Sequence, residues 1–181
     1  FSYADCAVDD SRLVVLNAID ARERGVRILT RTRCTGARRE PDGWSVELRD
    51  TRRGATRTIQ ARVLVNAAGP WVSSFLQEEL GFDTHSRVRL VKGSHIVTRK
   101  LYDGGHPYIL QNEDKRIVFV IPWRDEFSLI GTTDVPYEGD PAAVTCSPEE
   151  TDYLCRVVNR YFRHAIGPGD VVWSYAGVRP L

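Results

Sequence analysis

The pattern of apolar and polar residues near the N-terminus has a helical period. Apolar residues recur every three or four positions between residues 13 and 21, as they do on one face of an amphipathic helix. Asp9 or Asp10 is suited to cap the start of this helix, and Gly25 is suited to end it. The apolar run at residues 26–30 then predicts a strand of a parallel sheet, so the segment resembles the last part of a βαβ unit.

After residue 30 the pattern alternates with a period of two, which is typical of antiparallel strands. Strands are predicted at residues 32–40 and 44–48 around a turn, and a third at residues 56–61 completes a small meander. The second half of the chain continues this alternation, interrupted by polar turns. There we predict strands at residues 88–98, 108–111, 116–122, 127–133 and 171–179, and one helix at residues 148–163.

The segment at residues 62–71 joins these two halves. The apolar residues 63–65 predict a short buried strand, and Pro70 is suited to the first position of a following helix. The turn between them is Asn-Ala-Ala-Gly, whose small side chains let backbone N–H groups approach a bulky anionic or planar ligand. The segment therefore predicts either a cofactor-binding turn or a plain strand-to-helix connection.

The composition indicates a globular, water-soluble chain of 181 residues with 42% hydrophobic and 27% charged residues. A net charge of +1 does not indicate nucleic-acid binding, and we interpret the arginine-rich part of the first half as a solvated face. No apolar run approaches the roughly 18–20 residues of a membrane span. The 4 cysteines contain no Cys-x-x-Cys pair, which favours reduced thiols in a cytosolic setting over disulfides or a metal site.

The two ends of the sequence suggest that it is a piece of a longer protein. It begins with Phe1 and ends at Leu181, directly after a predicted strand. No Gly-x-Gly-x-x-Gly sequence occurs in it, so the phosphate-binding turn of a Rossmann-type fold would have to precede Phe1.

Several stretches together carry a resemblance to a known family. They are Asn-Ala-Ala-Gly-Pro-Trp at residues 66–71, Leu-Val-Lys-Gly-Ser-His-Ile at 90–96, the run at 109–123, Leu-Ile-Gly-Thr-Thr-Asp at 129–134 and Gly-Val-Arg-Pro-Leu at 177–181. The first is common to many flavoproteins, whereas Lys-Gly-Ser-His, Gly-Thr-Thr-Asp and Gly-Val-Arg-Pro in this order are specific. The chain resembles the FAD-dependent glycerol-3-phosphate dehydrogenases of the D-amino-acid-oxidase-like flavoprotein superfamily.

The resemblance implies a mixed α/β fold, with part of a Rossmann-type FAD-binding domain and an antiparallel-sheet substrate domain with flanking helices. Residues 1–81 would be the C-terminal part of the FAD-binding domain, including the small meander, and residues 82–181 the substrate domain. It implies oxidation of sn-glycerol 3-phosphate to dihydroxyacetone phosphate by hydride transfer to FAD, with electrons passed to a quinone. It also implies a cytoplasmic enzyme attached peripherally to the cytoplasmic face of the inner membrane. The sequence leaves the oligomeric state open, with a homodimer as one alternative.

Three residues are candidates for binding and converting the substrate. His95 is the candidate base, because an unperturbed histidine pKa of about 6.5 suits proton transfer near neutrality; the alternative is a structural histidine. Arg179 offers a planar fork for an anionic oxygen, and the resemblance places it at the substrate. Lys92 is a weaker candidate for the phosphate, and a solvated lysine is an equal alternative. Asp134 and the threonines before it favour a turn.

Two parts of the chain contain candidate cofactor contacts. Ala68, Gly69 and Trp71 are candidate contacts with the cofactor, and the resemblance implies a main-chain contact with the adenine half of FAD near Arg33 or Cys34. Because the glycine-rich turn is missing from the sequence, we expect the chain alone to bind FAD poorly.

Two other functions stay open. A different flavoprotein oxidase of the superfamily, acting on amines or 2-hydroxy acids, would use Arg179 to hold a carboxylate. A catalytically inert β-rich binding module would use the same fold without FAD.

Overall fold

The chain folds into two units, Phe1–Leu64 and Val65–Leu181, in a computed structural model that describes residues 1–83 and 88–181. The first unit contains a helix and a 3-stranded sheet, and the second is built on a 6-stranded sheet. The functional division predicted after residue 81 stays a prediction, because compactness alone does not say which residues contact a cofactor.

Helix α1 (Asp10–Glu23) begins and ends where its sequence signals predict. The Asp9 carboxylate accepts the Arg12 N–H at 3.0 Å, which satisfies one of the free amides of the first turn. Gly25, just past the helix, has a φ of 90°, a value that glycine adopts without strain. No residue of α1 is buried.

The predicted meander is confirmed as an antiparallel sheet in the order β1–β2–β3. Its strands are β1 (Thr32–Glu40), β2 (Gly43–Asp50) and β3 (Thr56–Ala61). Gly43 begins β2 with a φ of 151°, and a Cβ there would overlap the carbonyl oxygen of Ala61. Only glycine therefore fits the turn that sets this register.

Two predicted strands are wrong. Residues 26–30 and 63–65 are not strands, and neither segment pairs with a strand in the described part of the chain. Val26 is 51% exposed and Val63 is 72% exposed. An apolar run can indicate a preference for extended backbone, but a strand also requires a neighbour to pair its N–H and C=O groups.

A short helical segment follows the second of these runs, as Pro70 predicts. It consists of the 3₁₀ turn Gly69–Trp71, helix α2 (Val72–Ser74) and the π turn Phe75–Glu79. The Trp71 N–H donates to the Ala68 carbonyl at 3.1 Å, which closes the first turn.

The sheet of the second unit is organised around a central strand of 10 residues, β4 (Leu90–Arg99). The other strands are β5 (Tyr108–Gln111), β6 (Ile117–Trp123), β7 (Phe127–Gly131), β8 (Val135–Pro136) and β9 (Val171–Pro180). The order is β5–β6–β7–β4–β8, and β9 also pairs with β4. All pairs are antiparallel, as predicted, although β8 was not predicted.

Helix α3 (Pro148–Asn159) covers one face of this sheet. Ser147 and Glu150 form a capping box at its start, and its apolar side packs on the sheet residues Ile96 and Ile130, which are fully buried. The helix ends before residue 163, where we predicted its end. The Asn159 side chain instead exchanges two hydrogen bonds of 2.8 Å with the backbone of Ile166, which stabilises a turn of the chain.

No helix within residues 1–83 and 88–181 combines the length and apolarity needed to cross a membrane. Cys6, Cys34, Cys146 and Cys155 are all unbridged.

Candidate active site

The face of the sheet opposite to α3 brings together two of the three predicted substrate residues. On β4, His95 lies opposite Tyr175 of β9, Gly93 opposite Gly177, and Val91 opposite Arg179. Directly opposed residues of an antiparallel pair share a face, and alternate residues of one strand do the same. His95 and Arg179 therefore lie on one face, which we call the open face.

The His95 ring lies between a neighbouring glycine and an aromatic ring. It stacks on Tyr175 with ring centroids 4.8 Å apart and an angle of 4° between the planes. On the other side, a Cβ on Gly131 would lie 2.6 Å from Cγ and 2.7 Å from Nε2 of His95. The ring thus occupies the space that any other residue at Gly131 would need, and this packing fixes its orientation.

The Arg179 guanidinium leans along the open face towards His95. Its Nη2 donates to Asp134 Oδ1 at 3.1 Å and lies 3.7 Å from the position of a Cβ on Gly93. Gly93 and His95 are consecutive residues on the same face of β4, about 7 Å apart. The atom nearest to that Cβ position is the hydroxyl oxygen of Thr132, at 2.5 Å. The guanidinium, this hydroxyl and the imidazole can therefore line one site on the open face.

Lys92 lies on the opposite face of β4, towards α3. Its ammonium pairs with Glu150 at 2.6 Å, with 13% of the lysine and 7% of the glutamate side chain exposed. It also donates to the Thr145 carbonyl at 3.3 Å. Because its charge is already matched by a carboxylate, Lys92 is the predicted substrate residue that the geometry supports least.

A buried polar network surrounds this ion pair. The Thr133 hydroxyl donates to Glu150 Oε1 at 2.7 Å and accepts the Ser94 N–H at 2.8 Å. Burial raises the pKa of the Glu150 carboxyl. The Lys92 ammonium, the Ser147 N–H and the Thr133 hydroxyl together lower this pKa by a larger amount, so the net shift is downwards. Glu150 is therefore a carboxylate at neutral pH and ties α3 to β4.

The predicted cofactor turn is held by the side chain of Asn66. Its amide donates to the Val72 carbonyl at 2.9 Å and accepts the Ala68 N–H at 3.2 Å. Gly69 has a φ of 55°, and no heavy atom lies within 4 Å of a Cβ built on it. Trp71 is 46% exposed. This turn presents bare backbone to open space, which fits the approach of a large planar cofactor.

The 3₁₀ turn Gly69–Trp71 packs against β9 within the second unit. The predicted cofactor turn is thus a neighbour of the strand that carries Tyr175 and Arg179. Arg33 and Cys34 lie in the first unit, on β1, where the pairing with β2 shifts between Cys34 and Gly36. Their predicted main-chain contact with FAD stays a prediction.

A separate pocket of about 230 Å³ lies on the α3 side of the second unit. It is lined by Asn112, Glu113, Asp114, Tyr153, Arg156, Val157 and Arg160. None of these is a residue predicted to bind substrate or cofactor, so the pocket adds nothing to the site on the open face.

Sequence reasoning missed several residues that shape the site. Gly131 and Tyr175 hold the His95 ring, and Asp134 pairs with Arg179. The one signal that could have identified Gly131 and Asp134 is their place in the Gly-Thr-Thr-Asp stretch, which we interpreted as a turn. Thr133 of that stretch is 1% exposed and belongs to the buried network.

All of residues 1–181 match the family described as DAO, FAD dependent oxidoreductase. The chain belongs to this family, and the predicted resemblance and mixed α/β fold class are confirmed.

The chain is 56% identical to a glycerol-3-phosphate dehydrogenase of Pseudomonas aeruginosa, over 100% of this chain and 35% of that protein. It is 49% identical to a D-erythritol 1-phosphate dehydrogenase of Brucella abortus, over 100% of this chain and 36% of that protein. The X-ray structure of a glycerol-3-phosphate dehydrogenase from Bacillus halodurans complexed with FAD matches with a TM-score of 0.85 and 31% identity, covering 96% of this chain and 35% of that one. The chain thus spans about a third of the length of these relatives.

Proposed function

We propose that this chain is the central part of an enzyme that oxidises sn-glycerol 3-phosphate to dihydroxyacetone phosphate with FAD. The observation that carries the proposal is the shared face of His95 and Arg179, with the Thr132 hydroxyl beside Gly93 between them. A relative 56% identical over the whole chain is named a glycerol-3-phosphate dehydrogenase, which supports the same substrate.

Oxidation of a secondary alcohol requires removal of the hydroxyl proton and a fixed position for the substrate. His95 is suited to accept the proton, because its half-buried ring is held in one position by Tyr175 and Gly131. Arg179 is suited to bind phosphate oxygens through the N–H groups that do not contact Asp134. Hydride acceptance is the chemistry that FAD supplies when it is bound.

Within this proposal the backbone of Ala68 and Gly69 and the exposed side chain of Trp71 contact the flavin part of FAD. The support is the open space beside Gly69 and the packing of its turn against β9. The main chain near Arg33 or Cys34 contacts the adenine half. Residues 1–81 then belong to the FAD-binding part of the enzyme and residues 82–181 to the substrate-binding part.

The proposal gives Lys92 a structural role instead of the phosphate contact predicted from its motif. Its ion pair with Glu150 fixes β4 against α3, so it supports His95 through the strand rather than through contact with the phosphate.

The proposal extends to a quinone as electron acceptor and to peripheral attachment at the cytoplasmic face of the inner membrane, because the resemblance implies both. A homodimer belongs to the same proposal. Activity with a water-soluble quinone, cell fractionation and light scattering of the purified full-length protein test these three points separately.

A longer polyol phosphate is the second candidate substrate. The observation that favours it is the 49% identity, over the whole chain, to a protein named D-erythritol 1-phosphate dehydrogenase. Both candidates carry a phosphate ester and a secondary alcohol, so the same residues serve either.

The test compares Arg179→Ala and Arg179→Lys with the unmodified full-length protein on sn-glycerol 3-phosphate, D-erythritol 1-phosphate and unphosphorylated glycerol. Loss of a charge-assisted pair should lower kcat/KM for the preferred phosphate ester by about tenfold to a hundredfold in the alanine variant. The lysine variant should retain part of the activity, because it keeps the charge but not the fork. Equal kinetics for Arg179→Ala and the unmodified protein at full flavin occupancy would remove Arg179 from the site.

A further inference from the structure

The ion pair between Arg179 and Asp134 is not needed to hold the fold together. The side chains are 51% and 57% exposed, and a single hydrogen bond of 3.1 Å joins them. Exposed ion pairs of this kind contribute little to stability, because water and salt screen the attraction. A role for the pair must therefore lie in where it places the guanidinium.

The backbone that carries Asp134 is fixed on both sides. Thr133 before it is buried and bonded to Ser94 and Glu150. Val135 after it begins β8 and pairs with Lys92 of β4. The aspartate thus projects from a rigid point, whereas an exposed arginine side chain has many rotamers of similar energy.

The contact with Asp134 uses one terminal nitrogen of Arg179, Nη2. A guanidinium has five N–H donors in a planar fork, so the other donors stay available to a second anion. The same nitrogen lies 3.7 Å from the position of a Cβ on Gly93, next to the Thr132 hydroxyl that covers this glycine. The carboxylate is therefore placed to select the arginine rotamer that faces the site.

We propose that Asp134 is a positioning residue that holds the Arg179 guanidinium over Gly93, ready to pair with the anionic group of the substrate. This inference rests on the proposed function. Pre-orientation of a charged group lowers the entropy lost on binding, so Asp134 acts on substrate affinity through Arg179 and does not itself contact the substrate.

The test uses the full-length holoenzyme and measures kcat and KM for sn-glycerol 3-phosphate, with flavin content and Tm as further readouts. Asp134→Ala should raise KM about fivefold to tenfold with kcat within about twofold, the range of coupling between groups in one network. Asp134→Asn keeps an acceptor oxygen of the same size and should raise KM only about twofold. Flavin content and Tm should not change in either variant.

Glu126→Ala is the matched control. Glu126 pairs with Arg99 at 3.4 Å on the same sheet, and both side chains are more than two-thirds exposed, at 71% and 73%. Arg99 is at the end of β4 away from the residues that pair with Arg179. This variant should leave KM unchanged.

The decisive comparison is the double variant Asp134→Ala with Arg179→Ala. If Asp134 acts through Arg179, its removal should add nothing once the arginine is gone. Three results would each overturn the inference and leave the proposed function standing. They are an additive rise in KM in the double variant, a lower KM in Asp134→Ala, and an unchanged KM in both Asp134 variants while Arg179→Ala is impaired. Unmodified kinetics in Arg179→Ala would overturn the proposed site as well.

Discussion

Gly131 leaves the space that the His95 ring fills, so the smallest possible substitution there tests whether the position of that ring matters. In Gly131→Ala the new methyl group would lie 2.6 Å from Cγ and 2.7 Å from Nε2 of the imidazole. Ordinary carbon contacts are about 3.5–4.0 Å. The Cδ2 atom of the imidazole would lie closer still, so the ring and the methyl group must separate by more than about 1 Å.

The backbone cannot easily provide this movement. Gly131 is paired with His95 on one side and with Phe119 of β6 on the other, so a shift of the strand would disturb both pairings. The imidazole lies at the end of a rotatable side chain and moves at lower cost than the paired backbone. Overpacking of this kind costs about 1–3 kcal/mol of stability, whereas a displacement of about 1 Å in a reacting group can cost about a hundredfold in rate.

The assay measures kcat against pH, flavin content and Tm in the full-length holoenzyme. We expect Gly131→Ala to lower kcat by about tenfold to a hundredfold with flavin content retained. Gly167→Ala is the control, since Gly167 has extended backbone with a φ of −130° and no heavy atom within 4 Å of a Cβ position. It should leave kcat unchanged.

The double variant Gly131→Ala with His95→Gln separates a catalytic effect from a general disturbance. If the methyl group acts by displacing the imidazole, it should cost little more once the imidazole is replaced. Full kcat in a well-folded Gly131→Ala protein would refute the reasoning, because a displaced His95 ring could then not be the base.

Three further outcomes are expected. His95→Gln should lower kcat more than it changes KM and remove one pH-dependent step of kcat, and a pH–rate profile like that of the parent would contradict its role. Glu150→Gln should lower the free energy of unfolding, measured with urea, by about 3 kcal/mol, because it leaves the buried Lys92 without a carboxylate. Adding Lys92→Met should restore much of the lost stability. Folding lowers the Glu150 pKa. The stabilisation that this carboxylate provides is therefore present above its unfolded pKa of about 4.3 and is lost as the pH falls through its lower folded pKa. The glutamine variant should accordingly lose less stability on acidification than the unmodified protein. The 181-residue chain alone should bind FAD weakly in a fluorescence titration, and stoichiometric binding at micromolar concentration would contradict this.

The parts of the fold that the sequence predicts well are those with local causes. Helix α3 begins at a Ser147 cap with Glu150 three residues later, and both signals are contained within one turn of chain. β3 spans Thr56–Ala61 as predicted, since alternation and turn residues bound it on both sides. The strand predictions at residues 26–30 and 63–65 were wrong, because an apolar composition indicates a strand but does not identify the strand that it pairs with.

The site was predictable only in part for a similar reason. His95 and Arg179 could be named from their motifs and their chemistry. Gly131 and Tyr175 lie 36 and 80 positions further along the chain than His95, and strand register brings both of them to it. Asp134, in the connection between β7 and β8, meets Arg179 from 45 positions away. Register is a property of the folded sheet that a single sequence does not display.

Lys92 shows how far the alternation of one strand could have improved the prediction. Lys92, Ser94 and Ile96 share one face of β4, and Gly93 and His95 share the other. Ile96 is fully buried against α3, so Lys92 on the same face lies beside that core and needs a carboxylate, which Glu150 provides. The same alternation leaves Gly93 and His95 towards the open face. Half of the Lys-Gly-Ser-His sequence therefore anchors the strand, and only the other half is placed to take part in the chemistry.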